Sequence, residues 1–245
     1  MELNKIYNEE CLEGMKKIED KSVDMILCDL PYGTTACKWD TIIPFEPLWE
    51  QYERVIKDNG AIVLTASQPF TSMLVTSKPK WYKHAWVWNK VSCGNPFTAK
   101  YAPLKITEDV LVFGKNTVNY YPIMVKGKMK AKGGKAKSKL FNVDTVSYKN
   151  DMYYPKSILE ISNANQKGKV HPTQKPVALF EYLIKTYTNE GETVLDNCMG
   201  SGTTAIACIN TNRNYIGFEL DKKYCELANN RIKEFISEKE ELINK

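Results

Sequence analysis

Thr193-Val194-Leu195-Asp196-Asn197-Cys198-Met199-Gly200-Ser201-Gly202-Thr203-Thr204-Ala205 decides how the rest of this 245-residue chain is read. A short apolar run ends at an acid, and a G-x-G-x-x-A series of small residues follows. That order predicts a buried strand, a tight turn and a helix packed closely on the sheet. Downstream, Tyr215-Ile216-Gly217-Phe218 reads as another buried strand. A last helix from Asp221 turns Tyr224, Leu227, Ala228, Ile232 and Phe235 inward. Upstream, Pro176 opens an amphipathic helix with Val177, Phe180, Leu183, Ile184 and Tyr187 on one face, closed by Gly191.

The N-terminal half repeats the alternation. In Ser22–Leu30, SVDMILCDL, the run Met25-Ile26-Leu27-Cys28 suits a strand buried on both faces, with Asp29 at its end. A helix is expected from Pro47 to Asp58, where Leu48, Tyr52, Val55 and Ile56 recur at helical spacing and Gly60 supplies the stop. Ala61–Leu64, Ala85–Trp88 and Asp109–Phe113 read as further strands. The fold class expected is α/β, a doubly wound and mostly parallel sheet. Trp86, Trp88, Tyr101 and Phe113 are expected in its core.

The chain is 43% apolar and 26% charged, enough for one sizeable core with an insertion. No apolar run approaches the roughly 18 residues needed to span a bilayer, so a cytoplasmic protein is expected. The seven cysteines form no C-x-x-C pair and read as small buried hydrophobes, with neither disulfides nor a metal site expected. The net charge is only +5, but Lys115, Lys126, Lys128, Lys130, Lys132, Lys135, Lys137 and Lys139 occur with no acid between Gly114 and Val143. Gly127, Gly133 and Gly134 interleave with them and suggest a mobile loop. Such a field attracts a polyanion, and the span 114–168 adds Tyr120, Tyr121, Tyr148, Tyr153 and Tyr154, rings able to stack on bases.

Two constellations carry chemistry. An adenosine-containing cofactor fits the glycine turn, and Glu219 lies 17 positions beyond Gly202, near the spacing of roughly 20 at which an acid meets ribose hydroxyls. The second is Asp29-Leu30-Pro31-Tyr32-Gly33. An amino group conjugated to a base ring is a poor nucleophile because its lone pair is delocalised. If the Asp29 carboxylate and a backbone carbonyl, that of Leu30 or Pro31, accept its two protons, the lone pair is freed to face a methyl sulfonium. Tyr32 would stack on the extruded base.

With HPTQKP at 171–176, VLDNCMGSGTT at 194–204 and GFELD at 217–221 following DLPYG in that order, the chain resembles the amino-methyltransferases of DNA. The order matches their permuted β class. The resemblance implies a Rossmann-like methyltransferase fold, S-adenosylmethionine as cofactor and double-stranded DNA as substrate. It also implies a single domain over 1–245 with a target-recognition region inserted at 114–168. Asp29, Leu30, Pro31 and Tyr32 would be catalytic. Asp196, Met199, Gly200, Ser201, Gly202 and Thr203 would form the methionine-side turn, with Glu219 and Leu220 at the ribose. His171, Thr173, Gln174 and Lys175 would close over the cofactor's carboxylate, and Asn8, Glu10 and Cys11 would line the adenine pocket. Asp29 favours N6 of adenine as the target. Cytosine N4, or a DNA-binding module that has lost catalysis, stand as alternatives. Leu30 departs from the family's usual D-P-P-Y and removes some backbone stiffness. A homodimer and a separate restriction endonuclease are candidate partners.

Overall fold

A computed structural model describes residues 1–35, 40–93, 96–132, 148–163 and 174–243. The elements run β1 (Lys5–Tyr7), α1 (Cys11–Met15), β2 (Val23–Cys28), α2 (Phe45–Val55), β3 (Ile56–Ala66), α3 (Phe70–Ser77), β4 (Tyr82–Asn89) and β5 (Thr107–Phe113). They continue with β6 (Val125–Lys132), β7 (Tyr148–Tyr153), β8 (Ile158–Glu160), α4 (Val177–Tyr187), β9 (Thr193–Asp196), α5 (Thr203–Asn210), β10 (Asn214–Phe218) and α6 (Lys222–Ile243). No helix among the described residues is long and apolar enough to cross a membrane.

The main unit, Met1–Tyr121 with Ser157–Lys245, holds an eight-stranded sheet in the order β1-β10-β9-β2-β3-β5-β4-β8. Of its described strands only β5 runs against its neighbours, so the mostly parallel, doubly wound expectation holds. The two faces of the sheet follow from the two-residue period of a strand. Met25 and Leu27 of β2 enter one apolar layer with Leu179, Leu183, Ala205 and Ala228. Ile26 and Cys28 enter the other with Met15, Leu48, Tyr52 and Leu74. Every residue of β2 is buried, Asp24 included, which is why Met25–Cys28 reads as an unbroken apolar run. Each large side chain sealed in this way stabilises the fold by about 1.5–3 kcal/mol.

Several expectations need correction. Helix α2 ends at Val55 rather than Asp58, because Ile56 is already extended and begins β3. Gly60 is therefore no helix stop. It lies inside β3, where an added Cβ would stand 2.7 Å from the Ile56 side chain and 2.8 Å from the Asp24 carbonyl. Close packing, not termination, requires glycine there. Gly191 lies beyond the cap of α4 at Thr188 and takes a left-handed φ of 80° in the turn to β9. Trp86, Trp88 and Phe113 are core residues, but Tyr101 is 89% exposed. Cys11, Cys28, Cys208 and Cys225 are buried, whereas Cys93 and Cys198 are half-buried; Cys37 lies outside the described residues.

The second unit, Pro122–Lys156, contains the antiparallel ribbon β6·β7. Gly127 belongs to strand β6 rather than to a loop, and a Cβ there would press on the Tyr153 ring at 2.8 Å. Lys126, Lys128 and Lys130 are exposed along β6. Gly133 and Gly134 lie outside the described residues. Ile158–Glu160, within the span 114–168, forms β8 of the main sheet beside β4.

Candidate active site

The order of the sheet brings three acids together. β10, β9 and β2 are adjacent and parallel, and their carboxyl ends lead into Glu219, end at Asp196 and lead into Asp29. The connection from β9 goes through α5 to β10 on one side, while that from β2 goes through α2 to β3 on the other. The crevice between β9 and β2 is thus a switch point, the place where open α/β sheets bind ligands. A cavity of about 780 Å³ opens there, the size of a site for a cofactor-scale molecule.

One wall is made by the glycine turn. Gly200 and Gly202 take φ of 53° and 80°, values that other residues adopt only with strain. The Met199 N–H donates to the Phe218 carbonyl at 2.8 Å, fastening the turn to β10. Asp196 is buried and accepts from the Cys198 N–H at 3.0 Å and from the Thr204 hydroxyl. Burial pushes its carboxyl up to about 6, against the pull of those hydrogen bonds. Glu219 accepts the Gly200 N–H at 2.8 Å on one oxygen and the Asp221 N–H at 2.9 Å on the other. Burial raises it as well, opposed by those N–H groups. Met199, Gly200, Ser201, Thr203 and Leu220 also line the cavity. Gly202 instead caps α5 and packs on Ala228, which a Cβ would meet at 3.2 Å.

Glu10 and Cys11 complete this side at the start of α1. Glu10 is the helix cap, accepting from the N–H groups of Leu12 and Glu13. Asn8 is not among the lining residues; its amide donates to the carbonyls of Glu219 and Leu220 at 2.9 and 3.0 Å and so steadies the wall from behind.

The opposite wall surrounds Asp29, and here the partners come from far along the chain. The Tyr32 hydroxyl lies 2.9 Å from Asp29 Oδ1 and 3.0 Å from the Thr65 hydroxyl, which itself bonds Oδ1. Lys175 Nζ donates to Oδ2 at 2.7 Å and lies 3.5 Å from Glu108. Lys90 donates to the other Glu108 oxygen at 2.9 Å. Burial alone would lower Lys175, but the Asp29 and Glu108 carboxylates outweigh it and hold the ammonium above its usual range. Lys175, expected at the carboxylate end of the cofactor, is thus committed to Asp29. Tyr32 stacks on Phe70 with ring centroids 5.1 Å apart, and burial beside Asp29 pushes its phenol far up.

Gly33 has φ 67°, and the loop it opens is held by Asp40, whose carboxylate accepts the N–H groups of Gly33, Thr34 and Thr35 at 2.9, 2.9 and 2.7 Å. Leu30, Pro31 and Gln174 line the cavity; His171 and Thr173 lie outside the described residues. Sequence reading missed Thr65, Glu108, Lys90 and Asp40. Thr65 and Glu108 sit at strand ends with no motif around them. Asp40 could have been suspected as an acid seven residues beyond a glycine turn.

The cavity suits a cationic, adenosine-bearing cofactor. Among the described residues its carboxylates outnumber its one lysine, Lys175, which already answers two of them. A turn of small residues lets the ligand approach the backbone.

The chain is similar to known proteins over most of its length. It is 29% identical over 245 residues to the type II methyltransferase M.HpaI of Haemophilus parainfluenzae, spanning 90% of this chain and 71% of that protein. It is 29% identical over 252 residues to the DNA adenine methyltransferase YhdJ of Escherichia coli strain K12, spanning 94% and 83%. The solved structure of an M1.HpyAVI–SAM complex superposes with a TM-score of 0.63 at 27% identity, covering 93% of this chain and 98% of the other. A DNA methylase model matches residues 23–230, which takes in Asp29, the glycine turn and Glu219; the chain belongs to the DNA methylase family.

Proposed function

We propose that the protein transfers a methyl group from S-adenosylmethionine to N6 of an adenine turned out of double-stranded DNA. The observation that carries this reading is the surround of Asp29. A carboxylate offers about four acceptor positions, and the Thr65, Tyr32 and Lys175 groups fill three. One remains for a hydrogen of the target amino group, at the rim of a cavity whose other wall holds Glu219 and Asp196.

In this mechanism the carbonyl of Leu30 or Pro31 takes the second amino hydrogen, so the nitrogen lone pair points into the cavity. Tyr32, its ring stacked on Phe70, replaces part of the stacking lost from the duplex. Glu219 would hold the ribose hydroxyls of the cofactor, and Gly200 and Ser201 would hold its methionine end. When bound, S-adenosylmethionine supplies an electrophilic methyl whose departure returns an electron pair to sulfur. Asp29 receives the proton released as the amine is methylated. Rate enhancement comes from positioning.

The lysine-bearing ribbon of Pro122–Lys156 serves target recognition in this reading, and a DNA substrate puts the working enzyme in the cytoplasm. The type II name of M.HpaI supports a separate restriction endonuclease for the same DNA site. A homodimer is tested by sedimentation.

The experiment is sequencing of DNA from cells expressing the protein or Asp29→Ala, with a readout that separates N6-methyladenine from N4-methylcytosine. N6-methyladenine in a fixed context, absent with the variant, is the expected result. N4-methylcytosine would transfer the assignment to cytosine, and no mark would leave a DNA-binding module.

A further inference from the structure

Four side chains of alternating charge meet at one edge of the cavity. Lys90 follows β4, Glu108 belongs to β5, Lys175 precedes α4 and Asp29 follows β2. Lys90 Nζ lies 2.9 Å from Glu108 Oε1, and Lys175 Nζ lies 3.5 Å from Glu108 Oε2 and 2.7 Å from Asp29 Oδ2. The Lys175 side chain is only 9% exposed. Glu108 lines the cavity together with Lys175 and Asp29, yet the reaction described above gives it no task.

Among the described residues, Glu108 Oε2 is the one buried side-chain oxygen or nitrogen that no hydrogen bond satisfies. A buried acceptor without a donor is costly, and such groups in folded proteins call for a use. Lys175 is within reach but leans toward Asp29. That preference depends on Asp29 keeping its charge. When the proton leaving the methylated nitrogen bonds to Asp29, the carboxylate becomes a neutral acid. Two ammonium groups then face one remaining carboxylate, and a buried Lys175 left beside a neutral partner is strongly disfavoured. Glu108 is the other carboxylate within 4 Å of Lys175 among the described residues.

We propose that Glu108 Oε2 is the seat to which the Lys175 ammonium moves as Asp29 takes up the proton, which makes Glu108 a positioning residue for methyl transfer. This rests on the reaction proposed above. Lys175 keeps its own three hydrogens throughout, and only the proton from the nitrogen changes owner. Lys90 holds Glu108 Oε1 at 2.9 Å and so keeps the second acceptor in place. While Asp29 is charged, the ammonium competes with the target amino group for its lone pairs. Its retreat toward Glu108 removes that competition as positive charge develops on the nitrogen, so the gain is larger in the transition state than before it.

The first measurement is a crystal structure of the full chain carrying Asp29→Asn, an uncharged stand-in for the protonated acid, beside one of the parent. Lys175 Nζ is expected within about 3.2 Å of Glu108 Oε2 in the variant and of Asp29 in the parent. An ammonium still bonded to residue 29 in the variant, and no closer to Glu108 than in the parent, overturns the proposal. The second is single-turnover methyl transfer to a duplex with the sequence context found methylated in cells. Glu108→Gln keeps the shape and removes the charge. It should slow transfer by about tenfold or more when Lys175 is present, but by less than about threefold when Lys175→Met is already in place, because no ammonium then needs the seat. Equal slowing in both backgrounds is what a merely structural Glu108 would give, and it overturns the proposal, as does an unchanged rate with Lys175 present. S-adenosylmethionine affinity of Glu108→Gln, measured by calorimetry, should stay near that of the parent; a fall that accounts for the slower rate also overturns it. Were the parent to methylate no DNA, the proposed reaction would fail separately, and the Asp29→Asn structure would still decide where the ammonium goes.

Discussion

The two walls of the cavity hold their carboxylates by different means. Asp196 and Glu219 are satisfied mainly by groups close in sequence or on the glycine turn, the N–H groups of Cys198, Gly200 and Asp221 and the hydroxyl of Thr204. Asp29 is satisfied mainly by side chains from distant elements, Thr65 at the end of β3 and Lys175 before α4, with Glu108 of β5 behind them and Tyr32 the one near neighbour. A wall built from its own backbone is fixed once the turn forms. A wall built from distant side chains exists only when the whole sheet has assembled, and each member can be removed alone.

Four substitutions test that contrast. Asp29→Ala should reduce methyl transfer by roughly a thousandfold while leaving S-adenosylmethionine affinity near the parent value, measured by single-turnover assay and calorimetry. Loss of both together would mean that the two walls are not separable.

Asp196 gives the backbone-held wall a pH signature. Its folded carboxyl titrates near 6 against an ordinary value of 3.8, so the folded state favours the protonated acid. That contribution is complete below about pH 4 and is lost as pH rises through 6, a change of roughly 3 kcal/mol. Urea unfolding of the cofactor-free protein should show stability falling over this window, and Asp196→Asn should flatten the fall.

On the other wall, Lys175→Met strips the shared ammonium from Asp29 and Glu108. Lys175 is buried but Asp29 is partly open to solvent, which tempers the cost to about 2–3 kcal/mol, visible as a lower urea midpoint. Thr65→Val keeps volume but removes the hydroxyl shared by Asp29 and Tyr32. It should slow transfer roughly tenfold, the worth of one hydrogen bond to a charged group, with little change in cofactor affinity. An unchanged rate would show that Lys175 and Tyr32 suffice to hold Asp29.

The same contrast explains what could be read from the sequence. Asp196, the glycines and Glu219 announce themselves because their partners are neighbours in the chain, and the apolar runs of β2, β3, β9 and β10 announce themselves because both faces are buried. Thr65, Glu108 and Lys90 carry no local mark; only the pairing of β3 with β5 and of β5 with β4 brings them to Asp29. Short elements escaped for a related reason. β1 is three residues long and α1 five, too short to show a period, and β8 is recognisable only as the strand beside β4. Tyr101 reads as core yet is exposed, because an aromatic residue does not reveal which side of it is solvent.

The position of β9 bears on how the molecule comes into being. It fills the slot between β10 and β2, yet well over a hundred residues separate it from β2 in the chain. Until Thr193–Asp196 emerges, the edge of β2 at Met25 and Ile26 lacks its strand partner, the kind of apolar edge that recruits other strands. A polypeptide cut short before Thr193 is therefore expected to expose that edge and aggregate rather than yield half an enzyme.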